Sequence, residues 1–211
     1  MPAPVPKLVI VDTNCLVRIY FSPLRPILGQ VVSGYELKTL PELAKELKAL
    51  AGRADLAWLG DQVIQNEVDG ALLVLSRAQK KIVYQDAPEI RRYGDAELLK
   101  YCTSKGLQQN RSLSMCDARA LAAALELSAI LATDEWPLRR VAEDYDYDDG
   151  TPVQLLSSVE LLQLLEAQGL LSREDRIKTY ADWLKDGTKL LHGSGERYRE
   201  LFGEVPPTAQ D

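Results

Sequence analysis

The sequence predicts an α/β domain with a mainly parallel sheet, followed by C-terminal helices. Three observations lead there. Short apolar, β-branched runs of strand length alternate with stretches of helical periodicity, the mark of strand–helix–strand units. The helical stretches carry their own start and stop residues. A chain of 211 residues with 46% apolar composition also suffices for one main core with a small appendage.

Taken in order, proline-rich "MPAPVP" and "EVPPTAQD" read as frayed ends. Lys7 to Val11 is a buried strand that delivers Asp12 at its end. "PELAKELKALAG", Pro41 to Gly52, is a helix with proline in its first turn and glycine beyond its last. Asp61 caps a second helix, "QVIQNEVDGALLVLSRAQ", whose Ile64, Val68, Leu72 and Leu75 recur at helical spacing, with Glu67 beside that stripe. "GDAELLKYCTSKG" is a helix stopping at Gly106, and "QQNRSL" a loop. Ser114 with Asp117 forms a helix-start box ahead of an alanine-rich helix. "AILAT" is a strand, "WPLRRVAEDY" a helix, "TPVQLL" a strand and "SSVELLQLLEAQG" a capped helix stopped by Gly169. In the remainder, "SREDRIKTYADWLKDG" sets Ile177, Tyr180, Ala181 and Leu184 on one face, and "GERYRELFG" is a short amphipathic helix. Both are expected to pack back on the core.

Composition narrows the classes of function. No apolar run approaches the roughly 20 residues of a membrane span, and the N-terminal residues lack the layout of a secretory signal. Cys15, Cys102 and Cys116 are widely spaced and odd in number, which argues against a disulfide framework or a zinc site. His192, the single histidine, falls in an inter-helix loop, so histidine-based chemistry has little to build on. A net charge of −6 argues against broad attraction to nucleic acid, although local basic patches are compatible with it.

Ligands of parallel sheets bind outside the carboxyl ends of the strands. Asp12 and the pair Asp134–Glu135 occupy such ends, and Asp117 opens the helix feeding the second of those strands. Each has a local explanation: Asp12 and Asp134 as helix caps, Asp117 as a charge at a helix N-terminus worth about 0.3–1 kcal/mol, Glu67 as a solvated glutamate. Gathered in one cleft they repel one another, which calls for a metal or a shared proton. All-oxygen donors favour Mg²⁺ or Mn²⁺ over zinc, and a hard divalent ion points to phosphate chemistry.

The succession "VDTN", "QNEV", "CDARALAAALE" and "LATDEWPLRRVA" resembles the PIN domain family of metal-dependent ribonucleases, which includes toxins of bacterial toxin–antitoxin pairs. The likeness runs from about Lys7 to about Leu171, and its first and third motifs are the more specific. It implies a Rossmann-like, three-layer α/β/α nuclease domain over residues 1–171 and a helical extension with a disordered tail over 172–211. It further implies catalytic and metal-binding roles for Asp12, Glu67, Asp117 and Glu135, and substrate contacts for Asn14, Thr133 and Arg119. The family has Thr or Ser, one variable residue, then Asp; here Glu135 takes the final place and Asp134 the variable one. Spacing to Leu138 favours Glu135, while the shorter Asp134 stands as the alternative metal ligand.

The activity so implied is hydrolysis of RNA phosphodiester bonds with Mg²⁺ or Mn²⁺, in the cytoplasm and away from membranes. A toxin would add an antitoxin protein as partner and a homodimer. Arg91, Arg92, Lys100, Lys105 and Arg111, with Arg119, Arg139 and Arg140, offer a phosphate-binding rim, each with a solvated helix face as its ordinary explanation. A different class, prompted by Glu135, is a catalytically weak PIN-like protein that binds RNA or another protein. A haloacid-dehalogenase-like phosphatase fits less well, since Asn14 stands where it needs a second acid, and "DTNCLV" lacks the glycines of a dinucleotide site.

Overall fold

The computed structural model describes residues 5–22, 24–32, 34–107, 111–185 and 190–209. Five strands make one sheet: β1 (Lys7–Val11), β2 (Val31–Val32), β3 (Tyr35–Lys38), β4 (Ile130–Ala132) and β5 (Leu155–Leu156), in the order β2-β3-β1-β4-β5. β1 runs parallel to β3 and β4, and β4 parallel to β5; only β2 is antiparallel, to β3. The fold is therefore α/β with a mostly parallel sheet.

Central β1 is apolar throughout its second half because both of its faces are covered. Val9 and Val11, with Ile130 and Ala132 of β4, join a cluster containing Leu16 and Ile19 of α1 (Thr13–Tyr20) and Leu162 of α7 (Ser158–Glu166). Ile10 and Leu131 point the other way, to Leu98 of α4 (Arg77–Ser104), Leu121 of α5 (Met115–Glu126) and Leu138 of α6 (Trp136–Ala142). α2 (Pro41–Leu50) divides its side chains between the two clusters, Leu47 to the first and Leu43 to the second.

The second predicted helix is cut short. α3 (Gln62–Gly70) ends at Gly70, and Leu72 instead bridges Thr39 in parallel beyond β3, with Leu73 N donating to Thr39 O at 2.8 Å. Helical spacing of leucines misled because the same residues suit an extended segment, and Ser76 then starts a new helix through a capping box with Gln79. That helix, α4, runs 28 residues and takes in the segment expected to begin at Gly94. Gly94 is an interior packing position, where an added Cβ would stand 2.5 Å from Leu113 Cδ1. The expected loop "QQNRSL" lies partly on residues 108–110, outside the described residues.

The final helices are α8 (Arg173–Lys185) and α9 (Ser194–Phe202). Tyr180, Trp183 and Tyr198 belong to the same apolar cluster as β1, and Trp183 Nε1 donates to the Arg18 carbonyl at 3.3 Å. The buried face matches the expected one in part: Tyr180 and Ala181 are buried, but Ile177 and Leu184 are half-buried, while Arg176 is 2% exposed. Arg176 is held by Glu166, Glu204 and the Tyr198 hydroxyl, with its guanidinium 4.0 Å over the Phe202 ring. Glu204 also pairs with Arg173 at 2.8 Å, so the tail is anchored where it begins. The extreme ends of both frayed segments, residues 1–4 and 210–211, lie outside the described residues.

Candidate functional site

Parallel pairing brings the ends of β1 and β4 side by side, and backbone bonds continue past both strands: Asp12 N donates to Ala132 O and Thr133 N to Leu156 O, each at 2.9 Å. Thr133 is fully buried and joins the two ends. Its hydroxyl donates to Asp12 Oδ2 at 2.8 Å and accepts from Glu135 N at 3.1 Å. Asp12, 2% exposed, also accepts from Thr13 N at 2.6 Å through Oδ1, so it caps α1 as well as facing the site.

Asp117 enters from the first turn of α5. Ser114 and Asp117 satisfy each other's backbone N–H groups at 3.0 and 2.9 Å, which fixes the carboxylate. Glu135 is held through Oε1 by the side-chain amide of Asn14.

These acids sense one another. Burial pushes the Asp12 carboxyl well above the usual range, with the charges of Asp117 and Glu135 adding to the shift. Burial likewise raises Asp117, aided by Glu46, and raises Glu135, aided by Asp117 and Glu46. Arg111 acts on Glu135 in the opposite direction, but less than Asp117 does.

Glu46 of α2 was not singled out in the sequence. Its Oε2 accepts from the Thr13 hydroxyl at 2.8 Å, next to Asp12, so α2 supplies the helix glutamate of the group. The available signal was its helix position, one residue before buried Leu47 and three after buried Leu43. Glu42 has a similar setting, and helical periodicity does not choose between them.

Glu67 is not brought into this group. Its carboxylate is gripped by Arg25, with bonds of 2.7 and 2.9 Å, beside Tyr20. Asp134 is diverted too: it forms a buried ion pair with Arg18 and accepts from Ser158 N at 3.0 Å. A short side chain one residue before Glu135 points to the Arg18 side of the turn, leaving Glu135 with Asp117.

Asn14 donates to Glu135 and Thr133 to Asp12, so each orients one of the acids. Arg119 stands 3.8 Å from Glu42 and 4.4 Å over the Tyr84 ring. Arg92 and Lys100 pair with Glu89 and Glu97 of their own helix, and Arg140 with Glu143 and Asp144. Arg139 donates to the carbonyls of Thr133 and Leu156, bracing the strand ends.

The donors suit a hard cation: carboxylate oxygens, partly desolvated, with like charges raising one another's proton affinity. Among the described residues, no three His, Cys, Asp or Glu side chains stand close enough to enclose an ion as they are arranged. No family model, curated protein or solved structure matches this chain.

Proposed function

We propose that the chain is a Mg²⁺- or Mn²⁺-dependent endoribonuclease of PIN type, a three-layer Rossmann-like α/β/α domain acting on RNA in the cytoplasm. The observation that carries this reading is the placement of Asp12 and Glu135 at adjacent parallel strand ends, tied through Thr133, with Asp117 in the first turn of α5 and Glu46 bonded to Thr13 at their edge. In this reading Asp12, Asp117 and Glu135 hold the metal, with Glu46 beside them.

A bound Mg²⁺ or Mn²⁺ supplies charge for the scissile phosphate and acidifies a water. The protein's own part is orientation and proton transfer. Thr133 holds Asp12 Oδ2, and Ser114 holds Asp117 Oδ2. Asn14 holds Glu135 Oε1, which leaves Glu135 Oε2 to accept the proton of the attacking water. Burial of the acids strengthens each of these interactions relative to water.

Titration calorimetry with Mn²⁺ tests the reading. Wild-type protein is expected to bind, Asp12→Asn and Asp117→Asn to lose binding, and only the wild type to cleave RNA. Cleavage by Asp12→Asn at the wild-type rate overturns it. A second reading, a catalytically weak module that binds RNA or protein, is favoured by Glu135 and by the acids' failure to enclose an ion as placed. RNA binding without Mn²⁺ binding would select it. As a toxin, the chain would have an antitoxin protein and act as a homodimer; growth arrest by wild type but not Asp12→Asn checks that role.

A further inference from the structure

A groove of about 380 Å³ opens between α2 and the start of α4. It is lined by the extended segment Leu72 to Leu75 and by Lys45, Lys80 and Tyr84. Glu42 joins it to the candidate site, being one helical turn from Glu46 and 3.8 Å from Arg119, which lies two residues past Asp117.

We propose that this groove binds one strand of single-stranded RNA next to the cleavage position, an assignment that rests on the nuclease reading. An acidic cluster on a chain of net charge −6 repels phosphates, so the strand needs cations close by. Lys45 and Lys80 are exposed, and neither forms an ion pair among the described residues. Their charge is thus available to a polyanion.

The groove also offers what a base or sugar needs. Tyr84 is 40% exposed, and its ring is steadied by Arg119 at 4.4 Å and Lys80 Nζ at 5.6 Å, with its hydroxyl bonded to Glu42. Val74, 88% exposed, extends an apolar surface below it. Cations beside an exposed aromatic ring and an apolar surface are the combination that single strands use. A duplex needs only the cations.

Fluorescence anisotropy with a short labelled oligouridine tests this, in the Asp12→Asn background so that cleavage is silent. Lys45→Ala with Lys80→Ala is expected to weaken binding about tenfold and to flatten the salt dependence by about 0.7 per lost phosphate contact. Val74→Glu, a change at an exposed position, is expected to weaken it as well. Unchanged affinity in both variants overturns the groove, as does competition by polyglutamate equal to that by RNA, which would mark a docking face for acidic protein. Wild-type protein that cleaves RNA, with affinity untouched by these variants, keeps the nuclease reading and loses the groove. Groove-dependent binding without cleavage does the reverse.

Discussion

Asp134 and Glu135 are neighbours in the chain and opposites in electrostatics. Asp134 meets Arg18 and Ser158 in a buried network in which the fold provides the balancing cation. Glu135 joins Asp12 and Asp117, where burial and like charge raise every member. One side of the β4–α6 turn is thus neutralised from within, and the other retains surplus negative charge. Desolvated charge is costly, so under the proposed reading the second side is the one an outside cation would balance.

The largest effect should come from removing the internal cation. Arg18→Met leaves Asp134 buried without its ion-pair partner, and breaking such a pair costs about 3–5 kcal/mol. Urea unfolding should show a lower midpoint. Mn²⁺ binding per folded molecule should persist, since Arg18 serves the turn and not the acids.

The opposite sign is expected across the turn. Glu135→Gln keeps an oxygen for Asn14 but removes one of the repelling charges, so the metal-free protein should gain stability, by less than about 1 kcal/mol because the group is partly solvated. Mn²⁺ affinity should fall more than about tenfold, as for other changes at a metal site. A loss of stability without metal would remove the contrast between the two sides.

pH supplies a third test. The folded state raises the proton affinity of Asp12, Asp117 and Glu135, so it binds protons that the unfolded chain has already released. Their contribution is complete below the ordinary carboxylate range and is lost as pH rises through the elevated folded values. Metal-free protein should therefore lose stability on going from mildly acidic to neutral pH, and saturating Mn²⁺ should offset the loss. A flat profile in metal-free protein would show that folding does not raise the proton affinity of these acids.

What was readable in the sequence follows the same division. Strand ends, alanine-rich α5 and the Ser114–Asp117 box are local signals, and they placed Asp12, Asp117 and Glu135 where they are found. Periodicity failed at Leu72 to Leu75, because tertiary pairing with Thr39 decides between helix and extended chain. Two-residue strands such as β2 and β5 carry too little pattern to bound. The partner of Asp134 lies 116 residues away, and no local pattern shows that Arg18 will reach it.

Glu46 and Glu67 give the smallest but sharpest comparison. Each is a helix glutamate next to an apolar stripe; one borders Asp12 through Thr13, and the other is claimed by Arg25. Glu67→Gln loses only a solvent-exposed ion pair, whose worth is small because water screens it, so both the unfolding midpoint and Mn²⁺ affinity should hold. Glu46→Gln keeps an acceptor for the Thr13 hydroxyl while removing charge beside the acids, so stability should hold and Mn²⁺ affinity should weaken severalfold. Calorimetry on the pair decides which helix completes the site. If Glu67→Gln weakens Mn²⁺ binding and Glu46→Gln does not, the Arg25 pair must open when metal binds, and α3 rather than α2 supplies the glutamate.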